Sequence, residues 1–184
     1  MSERKGAWIQ TYTGKQFWPM DPRPEEIDIR DIAHSLAMQC RFNGHCERFY
    51  SVAEHSIHVF RLVTPMLVRV NTSMWGLLHD AAEAYLSDIP RPIKGHMMLY
   101  RELEFNLMAV IAERFGLEGE IPECVVEADN QMLATEAKHL MKPPAADWGP
   151  LPEPLDERGY IWCLTPEKAE SQFLRTFNQW ARKK

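Results

Sequence analysis

The sequence predicts a single all-α domain. Apolar residues recur at the three- and four-residue spacing of amphipathic helices in six separate segments, and the alternation typical of half-buried strands hardly appears. The chain has 184 residues, of which 45% are hydrophobic and 26% charged, and these values suit one globular core. We therefore expect a bundle of five to seven helices that spans residues 1–184.

The first third of the chain predicts an arm followed by two helices. Residues 1–27 contain three closely spaced prolines and predict an irregular arm. The first helix is expected to begin after Asp28, a suitable N-cap, and to stop at Asn-Gly, residues 43–44. A second helix is predicted over 51–69, where Pro65 should kink it or end it near residue 64.

Four more helices are predicted, over 73–86, 98–115, 122–140 and 166–180. Gly116 is the expected C-terminal stop of the second of these, and Pro122 the expected first residue of the next. Thr165 is the expected cap of the last helix. Residues 142–160 carry five prolines and predict a long loop, and the adjoining "YIWCL" predicts a short strand or an extended stretch.

Charge and composition exclude several classes of protein. Lysine plus arginine is 21 and aspartate plus glutamate is 26, so the net charge is −5, which argues against a binder of long nucleic acids. No apolar run approaches the roughly 18 residues of a membrane span, and the N-terminus lacks the apolar core of a secretory signal. Four cysteines without a Cys-x-x-Cys pair are expected to be reduced thiols. These features favour a cytoplasmic protein without a membrane partner.

Polar residues interrupt the apolar faces of three predicted helices. His55 lies on the apolar stripe of the second helix, where a lone histidine is most often a hydrogen-bonded core residue. In the third helix, His79 and Glu83 should share a face, with Asp80 about 100° around. Asp129 lies among the apolar residues of the fifth helix. Considered singly, each polar residue could be explained without a shared site, for example by capping, by pairing with an arginine, or by solvation.

Taken together, these interruptions predict a metal site. A bundle that turns the three faces inward would gather His55, His79, Asp80 and Asp129. Two imidazoles and two carboxylates suit a divalent transition metal such as Mn, Fe, Co, Ni or Zn. The mixed set would leave coordination positions for water and a phosphoryl oxygen, as a catalytic site requires.

The order and spacing of these residues resemble the HD-domain superfamily of metal-dependent phosphohydrolases. The resemblance runs from about residue 41 to about residue 137. The segments "EHS", "HDAAE" and "SDIPRPIK" are similar to bacterial 5′-deoxynucleotidases, and still more similar to small phage HD-domain hydrolases that dephosphorylate dATP. The matching positions are His55, His79, Asp80 and Asp129, with Glu83 and Asp88 following the His-Asp pair.

The resemblance implies a role for each matching position. By this resemblance the metal ligands are His55, His79, Asp80 and Asp129, and Glu83 is the acid/base or water-orienting carboxylate. Arg41 and Lys94 would contact phosphate. Asp88 would lie near the sugar, and Phe42 would lie beside the sugar and base. The deoxynucleotidases carry tryptophan where this chain has Phe42, so the resemblance leaves base and sugar selectivity open. Trp18 is a further candidate for base stacking, although such a tryptophan more often packs in a core or an oligomer interface.

The function these features predict is removal of phosphate from a deoxynucleotide by activated water. The resemblance favours dATP, a purine deoxynucleoside triphosphate, as substrate and a homo-oligomer, dimer or hexamer, as the assembly. A 5′-deoxynucleotidase acting on monophosphates is the alternative within the enzyme class. A non-catalytic nucleotide or metal sensor on the HD scaffold, and a helical protein whose polar residues only satisfy one another, are the alternatives outside it.

Overall fold

Helices form most of the protein, as the apolar spacing predicts. The computed structural model describes residues 4–66, 70–146, 148–156 and 159–182. Within these ranges, six helices have nine residues or more and two are single turns. They are α1 (Ile29–Met38), α2 (Val52–Val63), α3 (Val70–Leu78), α4 (Glu83–Leu86), α5 (Arg91–Lys94), α6 (Met98–Phe115), α7 (Glu123–Leu140) and α8 (Pro166–Ala181).

The helix ends follow local chemistry. The Asp28 side chain accepts a hydrogen bond from the backbone N–H of residue 30 at the start of α1, and Ser51 accepts one from the N–H of residue 54 at the start of α2. Gly116 closes α6 in the left-handed conformation, with φ of 63°. Pro122 occupies the N-cap position of α7 instead of its first turn, and Thr165 makes no side-chain cap bond on α8.

The N-terminal arm is more ordered than predicted. Ile9–Gln10 pairs with Gln16–Phe17 in an antiparallel hairpin, which is too short for its strand pattern to show in the sequence. Phe17 is fully buried, and the backbone N–H and hydroxyl of Thr13 both donate to the carboxylate of Asp31 in α1. The prediction of an irregular arm was therefore wrong over these residues.

The predicted helix over 73–86 is broken at the His-Asp pair. The Nδ1 atom of His79 lies 2.9 Å from the carbonyl oxygen of Gly76, the acceptor that the N–H of Asp80 would use in a regular helix. This side-chain bond competes with the helical ladder, so α3 stops at residue 78 and a turn leads into α4. Gly76 itself allows α2 and α3 to approach, because a Cβ there would lie 2.8 Å from Val63.

The remaining boundaries agree with the proline signals. A 3₁₀ turn over Thr64–Met66 follows α2, so the helix ends where Pro65 predicts. Within 142–156 the described residues form no helix or strand, and over 160–164 no strand is assigned: residue 160 lies in a turn and Cys163 has a positive φ of 51°. The predicted helix end near residue 69, residues 147 and 157–158 of the loop, and the C-terminal pair 183–184 lie outside the described residues.

Helix α2 lies at the centre of the core. It packs against α1, α3, α7 and α8, and every residue from 52 to 59 is buried. His55 is therefore held in the middle of the bundle, where α3 and α7 can present their own polar residues to it. None of the described helices combines the length and the apolar character that crossing a membrane requires.

Candidate metal centre

Four polar side chains from α2, the turn after α3, and α7 meet around one point. The Nε2 atom of His55 lies 3.3 Å from Nε2 of His79, 3.2 Å from Oδ1 of Asp129 and 3.7 Å from Oδ2 of Asp80. The same Asp80 oxygen lies 3.2 Å from Nε2 of His79. One ligand atom from each of His55, His79 and Asp80 lies within 4.8 Å of the other two. Asp129, the fourth ligand that the sequence predicts, is outside this group of three, and its Oδ2 atom accepts a hydrogen bond from Nη2 of Arg91 at 2.7 Å.

The hydrogen bonds behind the two imidazoles orient them toward the centre. Nδ1 of His79 donates to the carbonyl oxygen of Gly76, which cannot donate in return, so Nε2 can present its lone pair to the centre. Nδ1 of His55 lies 2.7 Å from the buried carboxylate of Glu136, an arrangement common behind metal-bound histidines. The His55, His79 and Asp80 side chains could thus hold a metal ion, and Asp129 lies next to them.

The charged groups of the centre stabilise one another in their ionised forms. Burial opposes ionisation of Asp80 and Asp129, but the neighbouring histidines outweigh it: the pKa of Asp129 falls to about 2, and that of Asp80 falls further below its ordinary value. Burial and Arg41 lower the pKa of His55, yet Glu136 and Asp129 raise it to about 9. The carboxylates are therefore ionised at neutral pH, as ligands must be.

The side chains of Glu83 and Asp88 lie near the proposed ligand Asp80. Glu83 is 5% exposed, and burial, with the nearby charges of Asp80 and Asp88, raises its pKa well above the ordinary value. One of its carboxylate oxygens is buried without a hydrogen-bond partner among the described residues. Burial also raises the pKa of Asp88, whose backbone N–H donates to Gln39. A buried carboxyl group with a raised pKa can act as a proton donor or acceptor.

The predicted phosphate-contacting cations lie at the same place. Nη1 of Arg41 is 3.7 Å from Asp80, and its Nε donates to Glu136 at 2.9 Å. Burial opposes the charge of Arg41, but these carboxylates raise its pKa. Nζ of Lys94 lies 3.8 Å from Glu83 and pairs with Glu104.

Phe42 and Trp18, the two aromatic residues predicted to contact the substrate, lie in different parts of the fold. Phe42 follows Arg41 in a turn with positive φ, and the guanidinium lies 5.7 Å from its ring centre. Trp148, from the proline-rich loop, lies 6.3 Å from the Phe42 ring. Trp18, in contrast, carries the guanidinium of Arg4 over its ring in the N-terminal arm. A role of Trp18 in base stacking stays a prediction.

A cavity of about 800 Å³ adjoins the centre. His79, Asp80 and Asp129 line part of it, together with Lys94 from α5. Its other walls are α6 and the first turns of α7, which carry mostly apolar side chains. A small molecule with an anionic group at the centre would have room for its remainder here.

Sequence reasoning missed two buried glutamates. Glu136 lies seven residues after Asp129, so it occupies the same face of α7 two turns later, and that spacing was a readable signal. Glu54 precedes His55, and its carboxylate accepts hydrogen bonds from the backbone N–H groups of residues 162–164 at 2.8, 2.9 and 2.6 Å. No local pattern reveals that contact, because its donors are backbone groups more than 100 residues away.

The chain is similar to two curated proteins along most of its length. It is 37% identical to the uncharacterized protein YfdR of Escherichia coli K12 over 173 residues, which cover 94% of each chain. It is 34% identical to an uncharacterized protein of Rhodobacter capsulatus over 178 residues, covering 88% of this chain and 89% of that one. No protein-family model matches the chain. The extent and identity of these matches place the chain in the same family as YfdR.

Proposed function

We propose that this protein is a divalent-metal-dependent phosphohydrolase of deoxynucleotides. The observation that carries the proposal is the meeting of His55, His79, Asp80 and Asp129 at one point, with both imidazoles oriented from behind. When bound there, a divalent ion of the Mn, Fe, Co, Ni or Zn type supplies Lewis-acid activation of water and of a phosphoryl oxygen.

The residues around the ligands have the charges that phosphate transfer to water needs. The guanidinium of Arg41 and the ammonium of Lys94 would offset charge on the phosphoryl oxygens. Glu83, whose raised pKa favours its protonated form, would exchange a proton with the attacking water or the leaving oxygen. Asp88 would contact the sugar from the loop that precedes α5.

For the substrate we propose a purine deoxynucleoside triphosphate, dATP, from which water removes phosphate until the deoxynucleoside and inorganic phosphate remain. The sequence resemblance and the four-residue ligand set support this choice, and the 800 Å³ cavity has room for a base and a sugar. Dephosphorylation of monophosphates, the activity of a 5′-deoxynucleotidase, uses the same residues and is the other substrate class to assay. We propose a homo-oligomer as the assembly, which light scattering after gel filtration would measure.

Phosphate release tests the proposal. Protein purified without chelator is loaded with Mn²⁺ or Co²⁺ and incubated with each dNMP and dNTP. We expect release with dATP, and we expect Asp80→Ala to lose both bound metal and phosphate release while it stays helical by circular dichroism. Full activity of metal-depleted Asp80→Ala would disprove the mechanism. Metal and nucleotide binding without release would instead identify a sensor, and protein without any transition metal would favour a purely structural role.

A further inference from the structure

We propose that the cavity beside the metal centre binds the nucleobase of the substrate against Phe105, so that the protein selects nucleotides over phosphate esters without an aromatic base. This inference rests on the proposed function and adds to it the part of the substrate that is recognised away from the phosphate. Its evidence is the placement of apolar and charged side chains around the cavity.

The cavity is continuous with the metal centre. Its floor includes Trp75, His79 and Asp80, and Asp129 of α7 lines the same space. A phosphate held at the ligands therefore leaves the sugar and base of the same molecule next to this cavity. Its volume of about 800 Å³ falls in the range of small-molecule sites.

Helix α6 presents a second apolar face to the cavity, apart from the face that enters the core. Leu107 and Ile111 are fully buried in the core. Phe105, Met108 and Ala112, spaced by three and four residues, line the cavity, and Met108 and Ala112 also pack with the core. The Phe105 side chain is 68% exposed although its helix has a complete core face. An exposed aromatic ring beside an anion-binding centre suits a flat, apolar group such as a nucleobase.

A second part of the lining is apolar as well. Ile121, which precedes α7, and Val125 and Val126, in its first turn, line the cavity, and Val126 is 47% exposed. A planar base in contact with these side chains and with Phe105 would bury apolar surface.

The charges divide the cavity into two parts. Lys94 lies beside Glu83 and therefore next to the metal centre, where a phosphate needs cations. Glu102, Glu120 and Arg101 also line the cavity. Together these three carry a net negative charge, which disfavours a second anionic group there and favours the neutral base of a nucleotide.

Substitution of Phe105 in the full chain tests the proposal. The measured quantity is kcat/KM for dATP and dAMP, compared with 2-deoxyribose 5-phosphate, which has the sugar phosphate without the base. We expect Phe105→Ala to lower the value for the nucleotides about tenfold or more and to leave the base-free ester within about twofold, as loss of base stacking requires. Phe105→Tyr should retain the preference for nucleotides.

Leu99 supplies the matched control. It is an apolar residue of the same helix, 60% exposed, and it does not line the cavity. Leu99→Ala should change neither substrate. An equal loss for nucleotides and base-free ester in Phe105→Ala would overturn the proposal, because it would indicate a structural role. Dissociation of an oligomer by Phe105→Ala, with the preference for nucleotides intact, would also overturn it and identify the face as a contact between copies.

A binding experiment separates this proposal from the proposed function. If the wild type releases phosphate from no substrate, the hydrolase proposal fails, and calorimetry with Mn²⁺-loaded protein decides about the cavity. Weaker binding of dAMP to Phe105→Ala, with unchanged binding of inorganic phosphate, would support the base site. Equal dAMP affinity of wild type and variant would refute it.

Discussion

Replacement of Glu136 by glutamine should weaken metal binding although this residue is not a proposed ligand. Its carboxylate lies 2.7 Å from Nδ1 of His55 and 2.9 Å from Nε of Arg41, and it is fully buried. The amide that replaces this carboxylate could accept from only one of these two donors, and its own NH₂ would face the other. The His55 ring would lose both a fixed orientation and a negative charge behind it.

The magnitude follows from the contact that is lost. Removal of the hydrogen-bond partner behind a metal-bound histidine typically costs about 10- to 100-fold in metal affinity. At tenfold per 1.4 kcal/mol, this is about 1.4 to 2.8 kcal/mol. The proximity of Arg41 favours the upper part of this range, because a buried guanidinium loses its nearest carboxylate in the same change.

Competition for Co²⁺ with a chromogenic chelator measures this affinity directly. Glu127→Gln is the matched control, since Glu127 is exposed on the same helix. Circular dichroism of both variants checks that the helices are intact. A Co²⁺ affinity of a folded Glu136→Gln variant within twofold of wild type would refute the role assigned to this contact.

Three further predictions concern neighbouring groups. Glu83→Ala should keep its metal and lose about 10²- to 10⁴-fold in rate, whereas loss of metal in elemental analysis would make Glu83 a ligand. Glu54→Gln should lower the free energy of unfolding by roughly 3 kcal/mol, because one of its oxygens becomes a donor facing backbone N–H groups; unchanged thermal and denaturant midpoints would contradict this. His55, with a pKa of about 9, must lose a proton to bind metal, so affinity should rise by up to about tenfold per pH unit below pH 9. The raised pKa also contributes stability to chelator-treated protein that is complete below pH 6.5 and is lost as the pH rises through 9. Calorimetry that finds no proton released at pH 7 would exclude this linkage.

The helices could be read from the sequence because their signals are local. Apolar spacing, the Asp28 cap, and Pro65 and Gly116 as stops each act within one or two turns. The break after α3 could not be read in this way, since it depends on a side chain of His79 that competes for a backbone acceptor.

The candidate centre was predictable for a related reason. Polar residues on apolar faces mark positions where burial needs a partner, and His55, His79, Asp80 and Asp129 all met that criterion. Glu136 met it too and was overlooked. Trp18 is a different case: an aromatic residue gives no directional signal in the sequence, and in the fold its ring contacts Arg4.

The bonds between Glu54 and the backbone of residues 162–164 also constrain the order in which the protein can fold. The partners are 108 to 110 positions apart, and the following helix, α8, packs against α1. The chain is synthesised from its N-terminus, so α2 emerges from the ribosome long before the donors for its buried carboxylate exist. Until those donors arrive, the carboxylate of Glu54 lacks its three backbone hydrogen bonds, and burial of the helix that carries His55 is disfavoured. The packing around His55 is therefore completed by a segment that is made some 33 to 35 residues after Asp129.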